Sequence, residues 1–171
     1  MRISGLVDED FVNYKKPSMF LGAISCDWKC CTEQGLDIST CQNSTLTNVK
    51  CIDISADEIF RRYIENDITK AIVIGGLEPM LQFEEVLEVI QRFRSANCQD
   101  DFVVYTGYYP SEMAEKIEKL AQYHNVIVKF GRYQPGHQPH FDEVLGVKLA
   151  SDNQFARRIE CFGGENGDSI F

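Results

Sequence analysis

The sequence lacks three features, and each absence argues against a class of protein. It contains no uninterrupted run of about eighteen apolar residues, so no transmembrane helix is predicted. Residues 1–10 lack the hydrophobic segment that is typical of a secretory signal peptide. The 17 Lys and Arg residues are not clustered, and 26 Asp and Glu residues outnumber them, giving a net charge of −9. Because nucleic-acid binding needs clustered cations, we expect a cytoplasmic protein that binds neither membranes nor nucleic acid.

The length and the pattern of apolar residues predict one domain of the α/β class. A chain of 171 residues is long enough to form one hydrophobic core. Buried-strand segments alternate with amphipathic helical segments, which is typical of a parallel sheet with outer helices. We predict a partial (β/α) barrel, since the units are too few for eight strands. The single domain spans 1–171, with its core at about 18–160 and a flexible tail at 161–171.

The predicted elements follow from apolar periodicity and capping signals. Ser55 and Glu58 form a capping box that predicts the start of the first helix. Strands are predicted at 2–7, 18–25, 71–74, 102–105, 126–130 and 144–149, and helices at 55–66, 83–95 and 110–123. Arg157 and Arg158 are predicted to lie in a last basic turn. Residues 26–50 are predicted as one long loop, and loops of this length in small domains are usually functional or disordered.

The cysteines are concentrated in that long loop. Four of the seven, namely Cys26, Cys30, Cys31 and Cys41, directly follow the apolar segment 19–24. Clustered cysteines in a chain without a secretory signal indicate metal ligands or catalytic thiols rather than disulfides. Three thiolates suit an iron–sulfur cluster, whereas zinc would more often take a fourth protein ligand, which Cys31 or Cys51 could supply. Cysteines without a ligand role are a third interpretation of the same spacing.

Small and polar residues follow the predicted strands at their carboxyl ends. These positions are Cys26, Gly75-Gly76, Thr106-Gly107, Gly131-Arg132 and Ala150-Ser151. Ligands of parallel α/β folds bind at the edge of the sheet where the carboxyl ends of the strands converge. The pattern therefore predicts a pocket beside the cysteine loop. Lys148 and Arg132 lie near this edge, and we interpret both as solvated surface charges.

The cysteine spacing resembles that of small radical S-adenosylmethionine (SAM) proteins. The activating enzymes of anaerobic ribonucleotide reductase bind their cluster with Cys-x3-Cys-x2-Cys, followed by an aromatic or polar residue and then Asn. Cys26 and Cys30 match the first two ligands, whereas the third expected position is Glu33. Cys41, followed by Gln and Asn, matches the third ligand if residues 31–40 carry an insertion. Cys31 is the alternative third ligand.

Three further motifs follow in the same order as in that family. Residues 75–79 resemble its Gly-Gly-Glu-Pro motif with Leu77 inserted, residues 104–108 resemble its next strand-end motif, and residues 151–154 resemble its Ser-x-Asn-Gln segment. The resemblance implies a domain of the radical SAM type that binds a [4Fe-4S] cluster and SAM. The residues implied for SAM binding are Gly75, Gly76, Glu78, Pro79, Thr106, Gly107, Ser151 and Asn153, and those implied for the cluster are Cys26, Cys30 and Cys41.

The resemblance also implies a reaction and partners. A reduced cluster would cleave SAM to methionine and a 5′-deoxyadenosyl radical, and this radical would install a glycyl radical on an anaerobic ribonucleotide reductase. Flavodoxin or ferredoxin would serve as the electron donor. The alternatives are a radical SAM enzyme acting on a small molecule and a non-enzymatic module that binds zinc or another metal. Cys51, Cys98 and Cys161 are interpreted as structural residues.

Overall fold

The computed structural model describes residues 1–159 and contains a mixed sheet with helices on one side. The strands are β1 (Arg2–Asp10), β2 (Ser18–Ala23), β3 (Ile52–Asp53), β4 (Ala71–Gly76), β5 (Asp101–Tyr105), β6 (Val126–Phe130), β7 (His140–Asp142), β8 (Val147–Leu149) and β9 (Phe155–Ile159). The helices are α1 (Lys29–Thr32), α2 (Ala56–Ile64), α3 (Phe83–Ser95) and α4 (Ala114–Leu120). Short 3₁₀ turns occupy Ile38–Thr40, Ser44–Asn48, Pro79–Gln82 and Pro110–Glu112.

Seven of the strands within residues 1–159 form one sheet in the order β3-β1-β2-β4-β5-β6-β9. The central strands β2, β4, β5 and β6 are parallel, whereas β1, β3 and β9 are antiparallel to their neighbours. Within the described residues β3 pairs only with β1 and β9 only with β6, so the sheet is open. The sheet is therefore mixed rather than purely parallel, and the partial barrel of the radical SAM type stays a prediction.

The helices α2, α3 and α4 share one hydrophobic core with one face of the sheet. Ile59 and Tyr63 of α2 join this core, as does the buried stripe of α3. On the opposite face, the strand residues pack against Tyr14, Leu145 and Leu149 instead of a helix. Both faces of the central strands are thus buried, which explains why their sequences are continuously apolar instead of alternating.

Several predicted elements match the structure closely. α3 begins and ends where its periodicity predicts, and the side chain of Ser55 accepts a hydrogen bond of 3.1 Å from the Glu58 amide at the start of α2. The helix predicted at 110–123 is instead a 3₁₀ turn followed by the shorter α4. The long loop at 26–50 also contains α1 and two 3₁₀ turns.

One prediction near the carboxyl-terminal end of the described chain was wrong, and another was confirmed only in part. The predicted basic turn was wrong: Arg157 and Arg158 lie in β9, where Arg157 is opposite Val128 and Arg158 donates to Asp101, because backbone pairing with β6 determines this segment. The strand predicted at 144–149 is confirmed only at Val147–Leu149, which is β8 and pairs with β7, whereas residues 143–146 form the turn between the two strands. The predicted flexible tail at 161–171 lies outside the described residues, and so does Cys161. None of the helices within residues 1–159 has the length and apolar character needed to cross a bilayer.

Candidate metal centre

A cavity of about 610 Å³ opens at the carboxyl ends of the parallel strands. It combines cysteines, glycine turns and a buried lysine. Its lining includes Cys26, Cys30, Cys41, Asn43, Gly75, Gly76, Glu78, Thr106, Gly107, Lys129, Lys148 and Gln154. The predicted pocket beside the cysteine loop is therefore present in the structure.

The cavity brings together the three cysteines implied as cluster ligands. Cys26 follows β2, Cys30 lies in α1, and Cys41 follows the first 3₁₀ turn of the loop. All three are half-buried and line the cavity, whereas Cys31 is 2 % exposed and does not line it. Residues 31–40, predicted as an insertion between the second and third thiols, include the end of α1 and a 3₁₀ turn, and Cys41 follows them at the cavity.

The turn at Trp28 gives the first two cysteines their orientation. Trp28 has a φ of 62°, which is uncommon for a residue with a side chain, and it reverses the chain between β2 and α1. Its amide lies 3.3 Å from the sulfur of Cys26 and donates to it. A backbone donor at this sulfur favours the thiolate form, which is the form that binds metal.

The thiols interact with one another in this arrangement. The sulfur of Cys30 lies 3.8 Å from that of Cys31. Interaction between the Cys30 and Cys41 thiols raises the pKa of Cys30 and lowers the pKa of Cys41 to about 6. Burial raises the pKa of Cys26 to about 11. Cys41 is therefore the thiol that ionises most readily. A bound cation would draw all three thiols to the thiolate form, since metal binding displaces the protons of its ligands.

The donor set fits an iron–sulfur cluster. Soft thiolates select iron–sulfur clusters or zinc over hard cations, and three of them face one cavity. Across residues 1–159, no group of three or more His, Cys, Asp or Glu side chains is close enough together to hold a single metal ion. A four-iron cluster binds each thiolate through a different iron atom, so its ligands need not converge on one point. The cavity can accommodate such a cluster with Cys26, Cys30 and Cys41 as ligands.

The glycine turn after β4 lies against the segment that leads to Cys26. Gly76 has a φ of +87°, and a β-carbon there would approach the backbone N and O of Ala23 to 3.1 Å. The amide of Leu77 donates to Ala23 at 3.1 Å, and that of Glu78 donates to Ser25 at 2.7 Å. Only glycine permits this close approach of β4 to β2. Gly75 and Gly76 line the cavity as predicted.

Glu78 connects the turn after β4 to the turn after β5. Its carboxylate is 6 % exposed and accepts from the Met80 amide at 3.0 Å, the Thr106 hydroxyl at 2.8 Å and the Gly107 amide at 2.8 Å. Burial raises the pKa of Glu78, and the three donors oppose that effect. Glu78, Thr106 and Gly107 line the cavity, but Pro79 is buried at the start of a 3₁₀ turn and does not.

Ser151 and Asn153 lie behind the cavity wall instead of lining it. Ser151 accepts from the Gln134 amide at 3.3 Å, and Asn153 donates to the carbonyl oxygen of Arg132 at 2.8 Å. Their neighbour Gln154 reaches the cavity and donates to Gly131 at 3.3 Å. The Ser-x-Asn-Gln segment thus supports the turn after β6. Within this segment, Gln154 is the residue that lines the cavity.

Lys129 lines the cavity, although no role was predicted for it from the sequence. It is 6 % exposed, its ammonium donates to the carbonyl oxygen of Gly131 at 2.9 Å, and burial lowers its pKa to about 8. A lysine within the otherwise apolar strand 126–130 was the available signal. Arg132 was interpreted as a solvated charge, which was wrong, since it is 4 % exposed and bound by carboxylates. Lys148 is exposed and contributes to the cavity lining.

Three cysteine thiols line one cavity, which is a donor set that suits an iron–sulfur protein. A family model described as a 4Fe-4S single cluster domain matches residues 23–155, which include all three cysteines and most of the sheet. The chain belongs to this 4Fe-4S single cluster domain family. No curated protein and no solved structure gave a significant match.

Proposed function

We propose that this iron–sulfur protein is a radical SAM enzyme that installs a glycyl radical on an anaerobic ribonucleotide reductase. The observation that supports it best is that Cys26, Cys30 and Cys41 share one cavity with the strand-end turns after β4 and β5. When bound, the reduced cluster supplies the electron that cleaves SAM to methionine and a 5′-deoxyadenosyl radical. The proposal also places the domain in the partial barrel class of radical SAM proteins.

The number of thiols supports a small-molecule ligand beside the cluster. Three protein ligands leave one of the four irons available to the amino and carboxylate groups of SAM. The cavity volume of about 610 Å³ is within the usual range for sites of ligands of this size. Its position at the carboxyl ends of the parallel strands is the position that α/β proteins use for ligands.

The charges in the cavity suit a ligand with both an amine and a carboxylate. Lys129 supplies a buried cation from β6, and Glu78 supplies a buried carboxylate from the turn after β4. Gly75 and Gly76 also line the cavity, and because they have no side chains a ligand can approach their backbone atoms closely. In this proposal these residues bind and orient the methionine part of SAM, while the surrounding apolar strands exclude water.

The proposed partner is a macromolecule. The cavity is open to the surface, and a reductase that presents its glycine there would cover the opening. Flavodoxin or ferredoxin is the proposed electron donor. A radical SAM enzyme for a small molecule would share the chemistry of SAM cleavage and differ only in the acceptor of the radical.

Anaerobic reconstitution tests the proposal. The protein would be loaded with iron and sulfide, reduced with dithionite and incubated with SAM, and chromatography would measure methionine and 5′-deoxyadenosine. We expect both products from the wild-type protein and neither from Cys26→Ala. A candidate reductase is then added, and electron paramagnetic resonance (EPR) is used to detect a glycyl radical.

The outcomes of this experiment separate the alternatives. SAM cleavage without a glycyl radical on any candidate reductase would favour the enzyme that acts on a small molecule. A fully loaded cluster with no cleavage of SAM would overturn the radical SAM assignment while leaving the cluster in place. Stoichiometric zinc in place of iron would support the non-enzymatic module.

A further inference from the structure

Arg132 is a buried cation directly after β6 and outside the cavity lining. It follows Gly131, which has a φ of +96°, and its side chain points towards the cysteine loop. The guanidinium donates to both oxygens of Glu112, at 2.7 Å from Nη1 and 2.6 Å from Nη2. A bidentate pair of this kind has a fixed geometry that lysine cannot reproduce.

The same guanidinium also binds the segment that carries Cys30. Nη2 donates to Glu33 at 2.9 Å, and Nε lies 2.8 Å from the other carboxylate oxygen of Glu33. Glu33 is the residue that ends α1, three positions after Cys30. The contact therefore joins α1 to the end of β6, although 99 residues of sequence separate the two partners.

Glu112 approaches α1 from the other side. Lys29, the first residue of α1, donates to Glu112 at 3.2 Å. The Arg132 guanidinium holds the pKa of Glu112 down at about 2, so the carboxylate stays ionised at neutral pH. We call the four residues Lys29, Glu33, Glu112 and Arg132 the α1 clamp. Both ends of α1 thus contact one arginine–carboxylate pair, of which the arginine is buried.

The α1 clamp has no direct access to a ligand in the cavity. Arg132, Glu112 and Glu33 are absent from the cavity lining, whereas Cys30, which lies between the two clamped ends of α1, is part of it. A buried charge costs free energy unless it is paired, and the buried Arg132 guanidinium is paired with Glu33, in the segment next to the cluster ligand Cys30. The effect of Arg132 on function must therefore act through the position of Cys30.

We propose that the α1 clamp, centred on Arg132, positions Cys30 for cluster binding and slows the loss of iron. Arg132 is a positioning residue, since it contacts neither the cluster nor a substrate. The proposal requires the 4Fe-4S cluster of the family and does not depend on SAM chemistry, so it goes beyond the proposed function. Residues that orient metal ligands typically change metal affinity by about 10- to 100-fold when replaced.

The test compares matched substitutions in the reconstituted protein. Arg132→Lys keeps the charge and removes the bidentate geometry. Glu33→Gln removes the ion pair between Arg132 and the end of α1 and leaves the Arg132–Glu112 pair intact. Arg62→Lys is the control, because Arg62 makes a similar two-point contact with Asp8, at 3.1 and 2.6 Å, away from the cysteines. Iron release to a chelator is followed without oxygen and without SAM, together with the EPR spectrum of the reduced cluster.

We expect Arg132→Lys to release iron at least about tenfold faster than the wild type. Glu33→Gln should release it about threefold faster, because the contact between Lys29 and Glu112 remains and Glu33 is half-exposed. Both should alter the EPR spectrum, and Arg62→Lys should change neither property. The proposal would be overturned if Arg132→Lys and Glu33→Gln both released iron at the same rate as Arg62→Lys and gave the same EPR spectrum. If Arg132→Lys fails to fold, Glu33→Gln alone decides between these outcomes.

Discussion

The side-chain amide of Asn43 donates a hydrogen bond of 2.6 Å to the carbonyl oxygen of Gly76. Asn43 lies two residues after Cys41, and Gly76 is the last residue of β4. The loop of the third thiol is therefore hydrogen-bonded to the glycine turn after β4. This hydrogen bond links the Cys-Gln-Asn motif to the Gly-Gly motif, since Asn43 of the first donates to Gly76 of the second.

Gly76→Ala tests the close approach at this turn. The new β-carbon would lie 3.1 Å from the backbone of residues 22 and 23, and a φ of +87° is unfavourable for alanine. We expect a loss of about 2–3 kcal/mol in the free energy of unfolding, measured with urea on the apoprotein. Gly136→Ala is the control, because its φ is +84° but no atom lies within 4 Å of its β-carbon. It should cost only about 1 kcal/mol. Equal losses in the two variants would mean that contact with β2 is unimportant.

The assignment of the cluster ligands predicts a specific pattern among four cysteine variants. Cys26→Ala, Cys30→Ala and Cys41→Ala should each abolish the [4Fe-4S] cluster, because each removes a thiol from the cavity wall. Cys31→Ala should retain the cluster, since Cys31 is buried outside the cavity. Iron and sulfide analysis after reconstitution measures the effect. A full cluster in Cys41→Ala, or its loss in Cys31→Ala, would show that the third ligand is misassigned.

The sequence predicted the elements that depend on local patterns. The buried stripe of α3 and the apolar segment of β4 repeat at the spacing of a helix and a strand, so their positions were predictable. β9 was not predictable, because its order F-A-R-R-I lacks alternation and its pairing with β6 is a tertiary contact. β3 was missed for the same reason, whereas β1 overlaps the strand predicted at 2–7.

The parts of the candidate site that consist of short sequence motifs could be predicted. The cysteine spacing and the glycine pair marked the cavity in advance, since thiols and glycines are informative as residue types. Arg132 was not recognised, because a charged residue near a strand end is usually solvated, and its partner Glu33 is remote in sequence. Lys129 was missed although its strand is apolar in sequence, because its burial in the cavity depends on contacts with neighbouring strands and loops.

Lys129 predicts a pH dependence of stability in the apoprotein. Burial lowers its pKa from the ordinary 10.5 to about 8, while Glu78 and Cys30 oppose this effect. Below pH 8 the lysine is charged in both the folded and the unfolded state, and the folded state carries the full cost of burying that charge. Between pH 8 and 10.5 the unfolded state binds more protons, so this cost falls as the pH rises.

Lys129→Met should therefore be more stable than the wild type at pH 7, by up to about 3 kcal/mol, because one pKa unit corresponds to about 1.4 kcal/mol. The difference should shrink steadily from pH 8 to pH 10, as measured by urea unfolding of both proteins at each pH. Lys148→Met is the control, since Lys148 contributes to the same cavity but is exposed, and its replacement should change the free energy of unfolding by less than about 0.5 kcal/mol throughout. A difference between Lys129→Met and wild type that stays constant or grows with pH would contradict a buried, charged lysine in the cavity. Loss of this stability difference between pH 8 and pH 10 would support a buried cation at Lys129 that is available to bind an anionic group of the ligand.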